Sequence, residues 1–145
     1  MPTNYLEIGS AQEFVHLRTS EKQEEYLRAA HAHASTEVWH EVIRKYPEMK
    51  RWVAQNKSVP VAILSLLSAD SDWRVRHMVA SKNKLPVELI RKLANDSDTS
   101  VRTRIAYNKN SPLEILEVLS NDPEADVSRP ARERLELQKK KVSNR

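Results

Sequence analysis

Three stretches of the chain carry closely similar sequences: VPVAILSLLSADSDWRVRHMVA at 59–80, LPVELIRKLANDSDTSVRTRIA at 85–106 and SPLEILEVLSNDPEADVSRPAR at 111–132. Each stretch begins 26 residues after the previous one (85 − 59 = 111 − 85). The positions that recur are Pro60, Pro86 and Pro112; Leu67, Leu93 and Leu119; Asp70, Asp96 and Asp122; Val75, Val101 and Val127; and Ala54, Ala80 and Ala106. A fixed period of this length indicates a repeat protein, in which each unit buries its apolar face against its neighbours.

The middle stretch predicts two helices. Pro86 suits a first helical turn, where its missing N–H is not needed. The apolar residues that follow have the spacing of an amphipathic helix, here called helix A: Leu89, Ile90 and Leu93. Residues 96–98 favour a turn and a cap, so helix A should end near Asn95. A shorter helix B should follow Asp98 and end in the turn-forming segment 108–111.

The repeated string also resembles a known family. It reads Val79-Ala80, then Leu85-Pro86-x-Glu88-Leu89-Ile90-x-x-Leu93-Ala94-x-Asp96-x-Asp98-x-x-Val101-Arg102, which is similar to the leucine-rich repeat variant and, more broadly, to HEAT-like repeats. The similarity covers about residues 50–135, and departs from the pattern where Lys82 replaces the usual Asn and Ser128 replaces the repeated Arg. The resemblance implies a right-handed α-superhelix that serves as a binding scaffold without catalytic chemistry.

The predicted architecture is therefore an all-α solenoid of helix–turn–helix repeats with a 26-residue period. We expect one α-solenoid domain over residues 1–138, with divergent N-terminal repeats and a cap in 1–50 and regular repeats and a C-terminal cap in 51–138. Residues 139–145 form a basic tail that should fray. Capping boxes are expected at Ser10 with Glu13 and at Ser111 with Glu114.

Composition excludes several classes of function. The 145 residues contain no cysteine, which excludes disulfides and thiolate chemistry, and one glycine, which excludes a glycine-rich phosphate loop. The chain opens without the pattern of a signal peptide, and its longest apolar run is too short to span a bilayer. We expect a soluble cytoplasmic protein that has no membrane partner.

Charged residues fall into rows when the repeats are aligned. The turns from helix A to helix B hold Asp70, Asp72, Asp96, Asp98, Asp122 and Glu124, and the turns from B to A hold Lys57, Lys82, Lys84 and Lys109. Helix dipoles favour this arrangement, because acids lie at the N-termini of B helices and lysines lie beyond their C-termini. The alternative is that the basic edge follows a phosphate backbone. Arg76 and Arg102 are expected to bond Asp72 and Asp98, or the matching acids of an adjacent unit.

The sequence predicts no catalytic residue, metal site or cofactor. His33, Glu37 and His40 could share a helical face, and Glu-x-x-His is a ligand spacing in di-iron bundles. Those sites need several such motifs on different helices, whereas this chain has one. A polar, ion-paired surface is the better interpretation of these residues.

One row of outward positions on the B helices is rich in arginine and aromatic residues, the types that dominate binding hot spots. The candidate partner-binding residues are Arg51, Trp52, Trp73, Arg74, His77, Arg104 and Tyr107. Trp52 aligns with Met78 (78 − 52 = 26), so an alternative is that it belongs to the core.

These observations favour a non-catalytic scaffold that holds a macromolecular partner on its concave helix-B face. The formal net charge of +4 suits an acidic protein partner, and neutralising a toxin is one physically reasonable role. The first alternative is binding to a nucleic-acid backbone, as the resemblance to HEAT-like DNA glycosylases would imply. The second is an enzyme such as a HEAT-like lyase.

Overall fold

The fold is all-helical. The structure is a computed structural model that describes residues 4–144, and these residues form ten α-helices and one short 3-10 helix. Within this range the one extended pairing is an isolated bridge between Ile8 and Ala34. This confirms the all-α prediction and is consistent with a helical repeat fold. The helices divide into two compact units, Met1–Ala69 and Asp70–Arg145.

The first unit has a core built around two aromatic rings. Its elements are α1 (Ala11–Thr19), α2 (Gln23–His31), α3 (Thr36–Lys45), a 3-10 turn (Pro47–Met49), α4 (Lys50–Gln55) and α5 (Val61–Leu67). Phe14 of α1 meets Trp39 of α3 edge to face, with ring centroids 5.2 Å apart, and both side chains are fully buried. The predicted cap of α1 is confirmed, because Ser10 Oγ accepts the Glu13 N–H at 3.0 Å.

The second unit alternates the two kinds of helix. Its elements are α6 (Trp73–Ala80), α7 (Val87–Ala94), α8 (Thr99–Tyr107), α9 (Leu113–Leu119) and α10 (Ala125–Ser143). Helix α8 contacts both α6 and α10, and α7 contacts α9, so helices of one kind lie beside each other. Leu93 and Leu119 are each 1% exposed, as is Leu67 in the first unit, which confirms the predicted burial of all three leucines.

Helix ends differ from the prediction in three places. Pro86 occupies the N-cap of α7 instead of its first turn, and its carbonyl accepts the N–H groups of Leu89 and Ile90 at 3.0 Å. The prediction of a capping box at Ser111 was wrong. Pro112 is the N-cap of α9, and Ser111 Oγ instead donates to Ile105 O at 2.7 Å.

The third difference is at the C-terminus. The tail predicted to fray is helical as far as Ser143, since α10 runs for 19 residues and contains Pro130 in its interior. Its first half buries Val127, Ser128, Pro130 and Ala131. Packing of this half against α8 and α9 supplies the tertiary support that a lysine-rich segment lacks by itself.

Candidate functional site

Two partly buried ion pairs link the turns of the second unit. Arg76 of α6 donates to both carboxylate oxygens of Asp96, from Nε at 2.8 Å and from Nη2 at 3.0 Å. Its Nη1 donates to the main-chain carbonyl of Asp70 at 2.7 Å. The arrangement recurs 26 residues further on, where Arg102 donates to Asp122 from Nε at 2.8 Å and to Asp96 O from Nη1 at 2.9 Å. Each arginine thus bonds the A-to-B turn of one repeat to the A-to-B turn of the next repeat.

This geometry corrects one half of the prediction for Arg76 and Arg102. The pairing with Asp72 and Asp98 at i, i+4 was wrong. The adjacent repeat does supply the partners, as the alternative expected, but they are Asp96 and Asp122, which align with Asp70 and Asp96 instead of with Asp72 and Asp98. Asp72 and Asp98 cap their helices instead, accepting the N–H groups of Arg74 at 2.9 Å and Ser100 at 2.8 Å. In the turn at residues 96–98, Asp96 therefore joins two repeats while Asp98 caps α8.

The pKa shifts agree with strong pairing. The hydrogen bond to Asp122 raises the pKa of Arg102, and the hydrogen bond to Asp96 likewise raises the pKa of Arg76. Burial alone would raise the pKa of Asp122, but the bonds from Arg102 and from the Glu124 N–H lower it. Arg76 and Arg102 are 14% and 15% exposed, so these cations serve the fold rather than a ligand.

The exposed surface of α6 and α8 holds the candidate residues of the second unit. Trp73 at the start of α6 is 42% exposed, and Tyr107 at the end of α8 is 55% exposed. His77 lies one turn after Trp73, and the two rings meet edge to face at 6.2 Å. Large exposed aromatic side chains are the usual anchors of protein interfaces.

Arg104 joins the two helices on the same surface. Its Nε donates to Ser81 Oγ at 3.0 Å, at the C-terminal end of α6. A concavity of about 110 Å³ lies beside it, and its lining includes Asn83, Tyr107 and Lys109. This hollow has the size of one amino-acid side chain and has two cationic residues in its wall.

Helix α10 adds a residue that the repeat pattern missed. Arg134 Nη1 donates to the carbonyl of Tyr107 at 3.3 Å, so it holds the end of α8 next to the hollow. The Nε of Arg134 is buried and has no hydrogen-bond partner among residues 4–144. The repeat pattern did not indicate Arg134, because the third repeated stretch ends at residue 132 and the chain continues as one long helix.

His77 is not a cation of this surface. Burial lowers the pKa of His77, and the nearby positive charge of Arg104 lowers it further. The imidazole is therefore neutral at physiological pH and offers one donor and one acceptor. Arg74, by contrast, is largely exposed and forms a solvent-screened pair with its own cap residue, Asp72, at 3.1 Å.

Two predicted residues, Arg51 and Trp52, belong to the first unit. The guanidinium of Arg18 lies 3.6 Å from the centroid of the Trp52 ring and 4.6 Å from that of Tyr26, which is within cation–π distance of both aromatic side chains. Arg51 is exposed and lies 5.5 Å from the Trp52 centroid. The Trp52 ring therefore packs against Arg18 within its own unit, and Trp52 is half-buried and not part of the buried core.

The structure thus brings together Trp73 with His77, and Arg104 with Tyr107. Over the described residues it shows no group of three or more His, Asp or Glu side chains that could hold a metal ion. In the same range, no helix combines the length and the apolar character needed to cross a membrane.

One repeat within the second unit matches a known family. Residues 73–98 match the family model described as leucine rich repeat variant, which confirms the resemblance over α6, α7 and the turn that follows. Searches of curated proteins and of solved structures returned no match.

Proposed function

We propose that this helical repeat chain, with its leucine rich repeat variant unit at residues 73–98, is a non-catalytic scaffold that holds an acidic protein partner. The site is the exposed surface of α6, α8 and the start of the turn after α8. The observation that carries the proposal is the presence of exposed aromatic residues and arginine on this surface: Tyr107 lies beside Arg104, and Trp73 is exposed next to His77.

The type of site favours a macromolecule. Packed helices lie about 8–10 Å apart, so residues on α6, α8 and α10 can contribute to one continuous surface. Trp73 and Tyr107 are both open to solvent, and the hollow between helix ends holds only a side chain. A partner protein can fill that hollow and cover both rings, whereas an isolated small molecule would leave most of the surface unused.

The charge favours an acidic partner. Arg104 and Lys109 line the hollow, and Arg74 is exposed at the start of α6. A partner carboxylate entering the hollow would reach the Arg104 guanidinium and could form a charge-assisted hydrogen bond. The neutral imidazole of His77 would contribute packing and one hydrogen bond rather than charge.

The structural roles of the acids in the turns support a non-catalytic function. Asp96 and Asp122 are bonded to arginines, and Asp72 and Asp98 cap helices. A general acid or base needs a carboxyl group that can reach a substrate proton, and these four carboxylates are committed to the fold.

The proposal also covers how the repeats stack and where in the cell the protein acts. We infer stacked 26-residue units in a right-handed superhelix, in which the B helices would line the concave side. Such a protein would act in the cytoplasm, and sequestering a toxin through an acidic surface is one role that this chemistry would serve.

We expect reversal of two arginines to abolish partner capture. Arg74→Glu with Arg104→Glu should lose the captured protein, because each replacement puts a carboxylate where the partner carries one. The matched control is Arg44→Glu with Lys92→Glu, which makes the same change in net charge at exposed positions of α3 and α7, two helices that do not belong to this surface. Captured proteins are quantified by mass spectrometry from extracts of the cells that make the protein, with circular dichroism as a check of folding.

Equal losses in the two double variants would contradict the proposed site, since charge alone would then explain the binding. Recovery of nucleic acid instead of protein, with capture that falls steeply as salt rises, would support the nucleic-acid alternative. Capture that is unchanged by Arg74→Glu with Arg104→Glu would also overturn the proposal.

A further inference from the structure

We propose that the first unit contains a second binding site, a cavity that takes a small aromatic anion such as an aryl phosphate. The cavity has a volume of about 420 Å³, and the residues that define its chemistry are Asn4, Tyr5, His31, His33, Lys57 and Ser58. This volume lies within the range of small-molecule pockets, about 300–1,000 Å³. The site is separate from the proposed partner surface and does not depend on it.

The walls of the cavity are held by hydrogen bonds to main-chain carbonyl groups. The Lys57 N–H donates to Ala30 O at 2.8 Å and Ser58 Oγ donates to His31 O at 2.6 Å. These bonds attach the segment after α4 to the last turn of α2. Buried Asn56 strengthens this closure, because its Nδ2 donates to Ala29 O at 2.8 Å and to Ala32 O at 3.0 Å. The backbone around the cavity is therefore ordered before a ligand arrives, which lowers the entropic cost of binding.

The opposite wall is fixed in a similar way. The Ile8 N–H donates to His33 O at 2.8 Å, which ties the segment before α1 to the segment after α2. Tyr5, three residues earlier, stacks on His31 with ring centroids 5.3 Å apart and an angle of 14° between the planes. Two nearly parallel rings give the cavity a flat, partly apolar wall, against which a planar ring could pack.

The polar groups of the cavity favour an anion. Lys57 supplies an exposed ammonium group, and each imidazole of His31 and His33 carries at least one N–H donor in either charge state. None of the lining residues in the described part of the chain is Asp or Glu. A phosphate or carboxylate oxygen would therefore meet donors and no opposing negative charge.

A titration with phenyl phosphate, followed by amide chemical shifts, tests the site in the full chain. We expect saturable shifts at Tyr5, His33, Lys57 and Ser58, with half-saturation at millimolar concentration or below. Benzyl alcohol, a neutral probe with the same ring, should shift none of them at equal concentration. Inorganic phosphate should bind more weakly than phenyl phosphate, because it lacks the ring that packs on Tyr5 and His31.

The matched variants are Lys57→Gln and Lys92→Gln, which remove one exposed lysine each from different units. Lys57→Gln should raise the half-saturation concentration about tenfold, the loss of one charge-assisted hydrogen bond, and it keeps the main-chain bond to Ala30. Lys92→Gln lies outside the cavity and should leave the half-saturation concentration unchanged. Equal binding of benzyl alcohol, shifts spread over lysines throughout the chain, or insensitivity to Lys57→Gln would each overturn the site, and equal affinity for inorganic phosphate would overturn its aromatic preference.

Discussion

Truncating Leu93 to alanine is expected to lower the free energy of unfolding by about 2–5 kcal/mol, the range for a large-to-small change in a packed core. Leu93 is 1% exposed in α7, a helix that contacts α6, α8 and α9. Removing its isobutyl group leaves a cavity that several helices border, so no single one can move to fill it. Chemical denaturation monitored by circular dichroism measures the change.

Leu137→Ala is the matched control, because it makes the same chemical change at an exposed position of α10. Its effect should stay within about 0.5 kcal/mol, as for ordinary surface substitutions. Similar losses at Leu93 and Leu137 would contradict the packing described for the second unit.

Replacing Arg102 by methionine should destabilise the protein by about 2–4 kcal/mol, because a buried carboxylate would lose its cation. The side chain of Asp122 is only 8% exposed and would keep one bond, from the Glu124 N–H at 3.0 Å. The same change at Arg74 is the control. The ion pair of Arg74 with Asp72 is exposed, and its loss should cost at most about 1 kcal/mol.

The cost of Arg102→Met should also depend on pH. The pKa of Asp122 is lowered in the folded protein from an ordinary value of 3.8, so its ionised form stabilises the fold above that value. This contribution is lost as the pH falls through the lowered pKa, where wild type and Arg102→Met should approach each other in stability. A difference that stays constant from neutral to strongly acidic pH would show that Arg102 acts through packing alone.

The repeat pattern predicted the all-helical class and the buried leucines correctly, because equivalent positions of similar repeats follow the same packing rules. Spacing placed Leu67, Leu93 and Leu119 in the core, since an apolar residue at a fixed helical position meets the same neighbours in every unit. The partners of Arg76 and Arg102 were harder to predict. Sequence spacing favours the nearby acid at i, i+4, whereas the stacking of units brings the acid 20 residues away into bidentate contact.

The candidate surface was only partly predictable for a related reason. Trp73, Arg104 and Tyr107 were identified from their position in the repeat, but Arg18 and Arg134 lie where the repeat is divergent or has ended. Their contacts depend on how the non-repeating segments pack against the rest of the chain. The contact of Arg18 with the Trp52 ring is an example. The cavity beside Tyr5 and Lys57 joins residues 52 positions apart (57 − 5), so no local pattern could indicate it.

Photocrosslinking from position 107 tests the central claim, that the α6–α8 surface binds a protein, most directly. A benzophenone amino acid replaces Tyr107 in one sample and the exposed Leu113 of α9 in another, and both are irradiated in cells that make the protein. The account predicts an adduct at position 107 that is sensitive to protease, resistant to nuclease and lost with Arg104→Glu. An adduct confined to position 113, or one at 107 that nuclease removes, would contradict it.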